Sequence, residues 1–590
     1  MEKYISIDTE TTGLRPFHGD KPFLIGYFDG VRFSYNKTEV KKKCEDKKLL
    51  KVFANAKFDI HMLRTIGINV QGPVADILVM NHLLTGDGKA SLKSLAHTIL
   101  KEKTDDTKLN EWFKKNRKDL IEKFRPSWQK EFKARQISSV MTYEEYEDEY
   151  IVKKKDDARK TRWKRYDQIP KDLIVSYFKK DLSQTYKLYP LLLKKIKELE
   201  LEPLMNNEHK LVYALVEMEN RGALIDTDKA IQLHHDFSDE MKLIARKIGS
   251  KYGKEFNFMS GKQLGEVFIK DKVKGLKYTP TRQVQTDEDA LELYDHPLCK
   301  LVLRYKKCAK LKRTYCEGLL EASDNDGVIH ASFKSTGAKT GRFSCQNPNL
   351  QNTPRPDEEN PDSFLIRSLF IARKGFVNYY LDYKQIEYRL AADYFEDKPL
   401  IKRINNGEDL HTIQAQNVFT VEKPTKEQRS AAKTLNFAIL YGAGVDKITM
   451  QLKRPPAEAR DIINKFYWMN PRIKAVRNEI YKAIEETGYI KNAFGRYYFM
   501  EVEEGYKGLN YLCQGTSADI IKHAMVRIHE YIKDLPNTYM ILSVHDELCI
   551  ESKSEKHIKK IQELMEDFPQ FEVKIETDMA MSKTSWDKKA

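Results

Sequence analysis

Strand-like apolar runs that carry acidic residues lie near the start of the chain and again in its last third, with helix-like stretches between them. The first run is YISIDTE at 4–10, and the later runs are FVNYYLDY at 376–383 and MILSVHDELCIE at 540–551. A chain of 590 residues corresponds to several domains rather than one. The pattern therefore predicts an α/β N-terminal domain followed by a larger α+β unit.

The chain carries a surplus of basic residues. Its 102 Lys and Arg against 87 Asp and Glu give a net charge of +15. Such a surplus suits a polyanionic partner, and nucleic acid is the commonest one. A lysine-rich but unspecialised surface is the alternative. The hydrophobic content of 41% excludes a mainly disordered chain.

The apolar pattern excludes membrane and secretory classes. No stretch approaches about 18 uninterrupted apolar residues, and the N-terminus MEKYISIDTE has no apolar signal region. The 7 cysteines are an odd number and form no CxxC pair, which argues against a disulfide framework or a structural zinc site. We therefore expect a soluble intracellular protein with no membrane partner.

Acidic residues in the N-terminal part occur at spacings that can form one site. Asp8 and Glu10 are two residues apart in a strand-like run, so both carboxylates project from the same face. Asp59 lies at the start of a helix-like stretch, and Tyr177 and Asp181 are four residues apart on another, where such residues share a face. Hard divalent metals prefer oxygen ligands. Each pair alone is more typical of a protein surface, but the full set predicts a metal-dependent site.

The set DxExT, NxxxD and YxxxD, in this order, resembles the DnaQ-like 3′→5′ exonucleases that serve as proofreading domains. The resemblance implies an α/β ribonuclease-H-like exonuclease domain. It implies that Asp8, Glu10, Asp59 and Asp181 hold two Mg²⁺ ions, with Mn²⁺ as an alternative, and that Tyr177 orients a water molecule. Two metal ions can activate such a water and stabilise the leaving oxygen of a phosphodiester.

Two acids of the C-terminal part stand at predicted junctions. Asp382 ends a strand-like run, and a helix begins near Gln385, so the carboxylate is exposed at the edge of a sheet. His545 and Asp546 separate two alternating apolar runs, which predicts a hairpin with the acid at its turn. A single acid in a turn is most often structural.

A stripe of two cations and two aromatics follows in KEQRSAAKTLNFAILYGAG. Arg429, Lys433, Phe437 and Tyr441 recur every four residues and share one face of the predicted helix. The cations suit a triphosphate, and the aromatics suit stacking on a sugar or base. A partly buried helix with solvated cations is the structural alternative.

These C-terminal motifs resemble family A DNA polymerases of the DNA polymerase I type. DYxQIExR, RxxxKxxxFxxxYG and VHDEL stand in order, and TGRFSCQNPNLQNTP and QGTSADIIKHAM resemble further segments of that family. The resemblance implies an α+β right-hand polymerase domain with palm, fingers and thumb. It also implies catalysis by Asp382 and Asp546 with two Mg²⁺ ions, with Tyr383 as a further metal ligand and Glu547 as a supporting acid.

The same resemblance assigns nucleotide and DNA contacts. Glu387 matches the residue that occupies the space of a 2′-hydroxyl. Residues expected to bind the incoming nucleotide are Arg429, Lys433, Phe437, Tyr441, His411, Glu387 and Gln385. Residues expected to bind DNA are Arg342, Asn349, Gln351, Asn352, Asn510, Gln514, His545, Lys310, Lys312 and Arg313.

Composition and the resemblance together suggest domain boundaries. We expect the exonuclease domain at 1–200, with an exposed, charged helical insertion at about 101–171, and the polymerase domain at 201–590. Within the latter we expect the thumb at about 205–330, the palm at about 331–395 and 525–590, and the fingers at about 396–524.

The sequence departs from the family pattern in several places. Tyr506-Lys507 stands where the bacterial enzymes carry Glu-Arg, Lys384 replaces a small Ser, and Tyr388 replaces an aliphatic residue. The charged insertion is longer than usual and could serve as a partner or template surface. No 5′-nuclease segment precedes the exonuclease motif, so we expect a compact form similar to phage or organellar replicative enzymes.

The sequence therefore predicts template-directed DNA synthesis with 3′→5′ proofreading, on primer-template DNA and dNTPs, in replication. A single-subunit RNA polymerase-like enzyme and a catalytically silent nucleic-acid-binding factor are the alternatives. We expect a monomer in the cytoplasm of a bacterium or a phage-infected cell, or in an organelle if a transit peptide was removed. A processivity factor, a helicase or a single-strand-binding protein are further expected partners.

Overall fold

A five-stranded mixed sheet forms the centre of the N-terminal part. The computed structural model describes residues 3–102, 106–152, 162–354, 361–440, 442–443, 445–452 and 455–588. The strands are β1 (Tyr4–Thr11), β2 (Pro22–Phe28), β3 (Phe33–Ser34), β4 (Leu50–Phe53) and β5 (Val74–Asp76). Their order in the sheet is β3-β2-β1-β4-β5, with β1 antiparallel to β2 and parallel to β4. The predicted α/β class and the initial hairpin are confirmed.

Helices cover both faces of this sheet. The helices from the start of the chain to the end of this part are α1 (Lys37–Cys44), α2 (Ala56–Arg64), α3 (Ile77–Thr85), α4 (Leu92–Ile99), α5 (Thr107–Lys133), α6 (Tyr143–Tyr146), α7 (Lys171–Glu198) and α8 (Glu202–Arg221). Ile5 and Ile7 of β1 lie in one buried cluster with Ile60 of α2. Val52 of β4 lies in a second cluster with Leu188 of α7. Successive side chains of the strands thus point alternately into two apolar layers, one on each face of the sheet.

The charged insertion is helical, as predicted, but the prediction that it is exposed is only partly right. Its long helix α5 buries Phe113, Trp128 and Phe132, and the π-helical turn Glu147–Ile151 buries Ile151. These side chains belong to the large core that continues into the C-terminal part. The charges of α5 therefore occupy one face of an amphipathic helix, while its aromatic face is packed.

Helix α8 joins the two parts of the molecule. It begins at Glu202, where the sequence suggested a domain boundary. Val212 and Val216 pack in the N-terminal core, whereas Leu211 and Leu215 pack in the C-terminal core. The helix is therefore shared between both units, and the domain division itself stays a prediction.

Helices and short strands fill the middle of the chain. The helices are α9 (Thr227–Tyr252), α10 (Gly261–Lys270), α11 (Glu288–Leu293), α12 (Pro297–Lys310), a π-helical segment (Leu311–Glu317), α13 (Gly318–Ala322) and α14 (Asp362–Arg367). The strands are β6 (Ala223–Leu224), β7 (Val328–Ile329), β8 (Ser332–Lys334) and β9 (Ser344–Gln346). The helices α9 to α12 enclose an apolar cluster of their own around Leu264, Phe268 and Val302.

A four-stranded antiparallel sheet organises the C-terminal part. After β10 (Val377–Tyr383) and the small hairpin β11 (Tyr489–Lys491) and β12 (Tyr497–Phe499), the chain forms β13 (Thr538–Val544), β14 (Glu547–Ser552) and β15 (Thr577–Ser582). The strand order is β13-β14-β10-β15. The predicted strand at 376–383 and the predicted hairpin around His545 and Asp546 are confirmed.

The remaining described helices follow β10 along the chain. They are α15 (Ile386–Tyr394), α16 (Lys398–Asn405), α17 (Leu410–Phe419), α18 (Lys426–Leu440), α19 (Val445–Leu452), α20 (Pro456–Met469), α21 (Pro471–Thr487), α22 (Gly508–Ile532) and α23 (Ile558–Glu566). Helix α22 is buried along most of its length.

Two further expectations concern the whole chain. All seven cysteines lie in the described ranges, and each is buried and free. Among the described helices, none combines the length and the apolar character that crossing a lipid bilayer requires.

Candidate active sites

The N-terminal acids converge at the end of strand β1. Asp8 and Glu10 lie opposite Gly26 and Leu24 of β2, and Glu10 is buried. Asp59, in α2, is also buried, and its Oδ1 accepts a hydrogen bond of 2.7 Å from the Thr9 hydroxyl. The Thr9 contact holds the helix carboxylate against the strand that carries the other two acids.

Helix α7 adds Tyr177 and Asp181 to the same site. Burial, followed by the charges of Asp59, Glu10 and Asp181, raises the pKa of Asp8 well above its usual range. Burial, and then Asp181, raises the pKa of Glu10 to about 8. Because α2 and α7 both pack on β1, the four acids lie in one cluster, where their charges raise one another's pKa. The structure thus brings together the acids that the sequence singled out.

The donor set fits a hard divalent cation. Four carboxylates in a mostly buried site repel one another, and a divalent cation would relieve that repulsion. Within the described ranges no group of three or more His, Cys, Asp or Glu side chains already has the arrangement of a formed metal site.

The sequence did not indicate three other residues of this site. The Lys93 ammonium group forms an ion pair with Asp181 and lies 4.1 Å from the ring centroid of Tyr177. Asp106 and Tyr166 come from the charged insertion, and Asp106 adds to the raised pKa of Asp181. Burial and then Glu10 raise the pKa of Tyr166 to about 12. The insertion therefore reaches the site and is not only a remote surface.

Strand β10 and the hairpin β13–β14 bring the two C-terminal acids together. Asp382 lies directly opposite Glu547 in the antiparallel register. The Tyr383 backbone N–H donates a hydrogen bond of 3.1 Å to the Asp546 carbonyl. The end of β10 and the turn are therefore bonded to each other, and Asp382 and Asp546 lie at the same edge of the sheet.

The turn that carries Asp546 is strained and braced. His545 has φ of +55°, a conformation that non-glycine residues rarely adopt. The Gln351 amide donates to the Ser543 carbonyl at 3.0 Å, and its oxygen accepts from the His545 N–H at 2.7 Å. Gln351, expected to contact DNA, thus fixes the shape of the turn.

Tyr383 and Glu547, which follow Asp382 and Asp546 in the chain, have side chains directed into the protein. The buried Glu547 carboxylate accepts a hydrogen bond of 3.2 Å from the Trp586 indole, and its supporting role stays a prediction. The Tyr383 hydroxyl donates to the Met565 carbonyl at 2.8 Å. The backbone carbonyl is therefore the group that Tyr383 could offer to a metal.

The first turn of α15 carries Glu387, the predicted sugar-selecting residue. Gln385 precedes the helix with φ of +46°, and the buried Glu387 forms an ion pair with Arg342. Tyr388 is buried, and its hydroxyl accepts a hydrogen bond of 2.9 Å from Gln414. Lys384 pairs with Asp578 at 3.1 Å. Tyr388 and Lys384, which both depart from the family pattern, thus each have a hydrogen-bond or ion-pair partner.

Helix α18 presents its predicted cations. Arg429 and Lys433 are exposed, and Arg429 forms two hydrogen bonds of 2.9 Å to Asp409. His411 is buried beside Asn436, and burial lowers its pKa to about 4, so it is neutral at pH 7. The side chain of Phe437 and all of Tyr441 lie outside the described part of the chain.

The remaining predicted DNA contacts are spread over several elements. Lys310 is exposed at the end of α12, Lys312 pairs with Glu317 at 3.5 Å, and Arg313 pairs with Glu149 of the insertion at 2.9 Å. The other members lie in the segment after β9 and in α22: Asn349 and Asn352, and Asn510 and Gln514. In the described ranges the buried Asn510 side-chain oxygen accepts no hydrogen bond.

The described structure thus combines an α/β sheet that carries clustered acids with an antiparallel sheet that carries two further acids. Residues 227–588 match the sequence model of DNA polymerase family A, and residues 1–123 match that of a 3′-5′ exonuclease. The chain belongs to DNA polymerase family A. Both matched families generally depend on divalent metal ions. The exonuclease match ends inside the insertion, before Tyr177.

Similar proteins are bacterial DNA polymerases I. That of Helicobacter pylori is 36% identical over 368 residues, covering 60% of this chain and 40% of the relative. That of Borreliella burgdorferi is 28% identical over 596 residues, covering 95% of this chain and 60% of the relative. The thermostable enzyme of Thermus aquaticus is 32% identical over 368 residues, covering 59% and 44%. The chain thus spans between 40% and 60% of the length of these relatives.

A solved structure has the same fold. It is the POL domain of Pol1 from M. smegmatis in complex with a DNA primer-template and a dNTP. The TM-score is 0.79 at 24% identity, and the match covers 100% of this chain and 96% of the other. The match shows that the described part of the chain shares the fold of this POL domain, including the right-hand polymerase part.

Proposed function

We propose that the chain is a template-directed DNA polymerase that carries its own 3′→5′ proofreading exonuclease. The family A match supports the synthetic activity, and the N-terminal match supports the editing activity. The observation that carries the proposal is the meeting of Asp382 with the Asp546 turn, through the register of β10 on β14 and the Tyr383 backbone hydrogen bond. Primer-template DNA and dNTPs are the proposed substrates.

In the proposed polymerase site, Asp382, Asp546 and the Tyr383 carbonyl are the groups that would hold divalent ions. Divalent ions held there would supply the positive charge that activates a 3′-hydroxyl and neutralises a departing pyrophosphate. Glu547 and Trp586 keep the edge of the sheet rigid through their hydrogen bond. The braced turn holds Asp546 in place before any substrate arrives, which reduces the reorganisation that the reaction requires.

The cations of α18 would bind the triphosphate. Lys433 is exposed on this helix. The Arg429 guanidinium is held by the Asp409 carboxylate, so it must exchange this partner for a phosphate. A guanidinium binds both types of oxyanion with the same two-point geometry. Neutral His411, buried close to Arg429 and Lys433, can donate one hydrogen bond without adding charge.

In the proposed exonuclease site, the four acids would hold the divalent ions, and the Tyr177 hydroxyl would orient the attacking water. Burial, and then the charge of Asp181, raises the pKa of Tyr177, so its hydroxyl keeps its proton. It can therefore donate to one oxygen and accept from a water at the same time.

Extension of a primer with a mismatched 3′ terminus, in the presence of Mg²⁺, reads both activities in one assay. We expect trimming of the mismatch followed by full extension. Asp546→Ala should abolish extension and leave trimming, with a matched primer as the control for synthesis alone. Extension that is unchanged in Asp546→Ala would overturn the proposal.

Substrate choice separates the two alternatives. Comparable extension with ribonucleotides and deoxyribonucleotides would favour an RNA polymerase-like enzyme. Tight DNA binding with neither trimming nor extension would favour a silent binding factor. The family match and the buried Glu387 both support DNA synthesis.

The cellular setting follows from the relatives. Because they are bacterial, we propose action inside a bacterium or a phage-infected bacterial cell, in DNA replication. The thumb, palm and fingers boundaries, the monomeric state and the accessory factors stay predictions.

A further inference from the structure

Lys93 occupies an unfavourable place in its own helix. It is the second residue of α4, whose start is fixed by a capping box between Ser91 and Ser94. A positive charge in the first turn of a helix opposes the helix dipole. Lys93 therefore does not stabilise α4. The contacts of its side chain outside the helix better explain why a lysine stands at this position.

Those contacts are with two of the proposed exonuclease residues. The Lys93 ammonium is ion-paired with Asp181 Oδ1 and lies 4.1 Å from the Tyr177 ring centroid. The Lys93 side chain is 19% exposed and that of Asp181 is 10% exposed, so water screens the pair poorly. One cation thus touches both residues that α7 contributes to the site.

The other charged groups around Asp181 show why this cation matters. Glu10 and Asp106 add negative charge next to Asp181, and Lys180 of α7 adds a weaker positive effect. Lys93 lowers the pKa of both Glu10 and Asp181. The ion pair of Lys93 with Asp181 therefore offsets part of this negative charge.

We propose that Lys93 is an exchangeable internal cation of the exonuclease site, a positioning residue that holds Asp181 and Tyr177 and that a divalent ion must displace from Asp181. This inference rests on the proposed exonuclease function of the acidic cluster. A bound ammonium and a divalent cation compete for the same carboxylate, so Lys93 weakens divalent binding there. Editing by the parent chain should consequently need more divalent ion than editing by a Lys93→Gln variant.

Mn²⁺ binding, followed by electron paramagnetic resonance, tests the inference without an activity assay. The full chain carries Asp382→Asn and Asp546→Asn, so that the signal comes from the N-terminal site. Lys93→Gln should tighten Mn²⁺ binding by at least about tenfold, because it removes a full charge next to the ligands. Lys93→Arg, which keeps the charge, should bind as weakly as the parent.

Lys89→Gln is the matched control, since Lys89 is an exposed lysine just before the same helix. It should leave Mn²⁺ affinity unchanged. Equal or weaker Mn²⁺ binding in Lys93→Gln would overturn the inference.

A further variant separates this inference from the proposed function. Asp8→Asn with Glu10→Gln, in the same background, should abolish Mn²⁺ binding at the N-terminal site. If binding persists in that variant, the proposed exonuclease metal site is wrong. If binding is lost there but Lys93→Gln has no effect, the site stands and only the role of Lys93 fails.

Discussion

Arg342 and Glu387 are ion-paired through the guanidinium Nη2 and the carboxylate Oε1. The sequence assigned them to different ligands, Arg342 to DNA and Glu387 to the sugar of the incoming nucleotide. The carboxylate is only 8% exposed, whereas the guanidinium is 39% exposed. The more exposed Arg342 therefore holds the buried carboxylate of Glu387, the predicted sugar-selecting residue, in a fixed position.

Replacing Glu387 should weaken sugar selection. Glu387→Ala removes the side chain that is expected to fill the space of a 2′-hydroxyl, so ribonucleotide incorporation relative to deoxyribonucleotide should rise by about tenfold or more. Single-turnover incorporation of matched rNTP and dNTP measures the ratio. Arg342→Ala provides the comparison: it removes the partner that fixes Glu387 but keeps the Glu387 side chain, so the ratio should rise less than in Glu387→Ala. An unchanged ratio in Glu387→Ala would count against the sugar gate.

The two activities should be separable by mutation. Asp8→Ala with Glu10→Ala removes two of the four acids at the end of β1 and leaves the sheet of β10 and β14 untouched. Trimming of a 3′ terminus should fall by at least about a hundredfold, because several kcal/mol of charge stabilisation are lost. Synthesis on a matched primer should be unchanged. A parallel collapse of synthesis would show that the two units do not act independently.

The sequence predicted the elements that carry the acids, because each acid lies at the end of an apolar run with a clear period. Asp8 and Asp382 lie within strands β1 and β10, and Asp546 sits in a turn, so local pattern and position agree. The pairing of Asp382 with Glu547 follows from the register that the two apolar faces impose. Local chemistry was therefore sufficient for this part of the fold and of the two candidate sites.

Long-range partners could not be read from the sequence in the same way. Lys93 and Asp181 are 88 residues apart, and nothing in SLKSLA distinguishes this lysine from a solvated one. The buried face of α5 did have a signal, because Trp128 and Phe132 are four residues apart. The high charge density of the insertion masked this periodicity. The average composition therefore predicted an exposed insertion, whereas the spacing of its aromatic residues indicates that one face of α5 is buried.

Two buried histidines should make stability depend on pH. His209 Nε2 accepts the Asp76 backbone N–H at 3.1 Å, and burial lowers its pKa to about 4. The unfolded value is about 6.5, so between these pH values the unfolded chain binds more protons than the folded one. Stability that is present above about pH 6.5 is therefore lost as the pH falls toward 4, by about 3 kcal/mol for His209.

Urea denaturation at pH 7 and pH 5 measures this loss. His209→Gln keeps an acceptor for the Asp76 N–H but cannot titrate, so the difference between the two pH values should become smaller. His235→Gln, at an exposed position of α9, should leave the difference as in the parent. If His209→Gln and His235→Gln behave alike, the buried histidine is not the source of the pH dependence. Burial also lowers the pKa of His82 to about 4, so part of the loss should remain in either variant.

The final prediction concerns a buried ion network that joins the two units. Glu208 of α8 accepts hydrogen bonds from Arg496 at 2.6 Å and from Lys522 of α22 at 2.7 Å, and Arg496 also pairs with Asp519 at 2.6 Å. The four side chains are at most 2% exposed. Two cations balance two carboxylates, so removing one acid leaves an uncompensated positive charge away from water.

Glu208→Ala should therefore lower the free energy of unfolding by about 3–5 kcal/mol. Glu217→Ala is the control on the same helix: its side chain is 46% exposed and pairs with Arg64, so the loss should stay below about 1 kcal/mol. Urea denaturation followed by circular dichroism compares the two variants. Equal losses would mean that the network adds nothing beyond a surface ion pair. Because Lys522 also donates to the Ser335 carbonyl at 3.0 Å, Glu208→Ala should in addition loosen the segment that leads to Arg342, which limited proteolysis would detect.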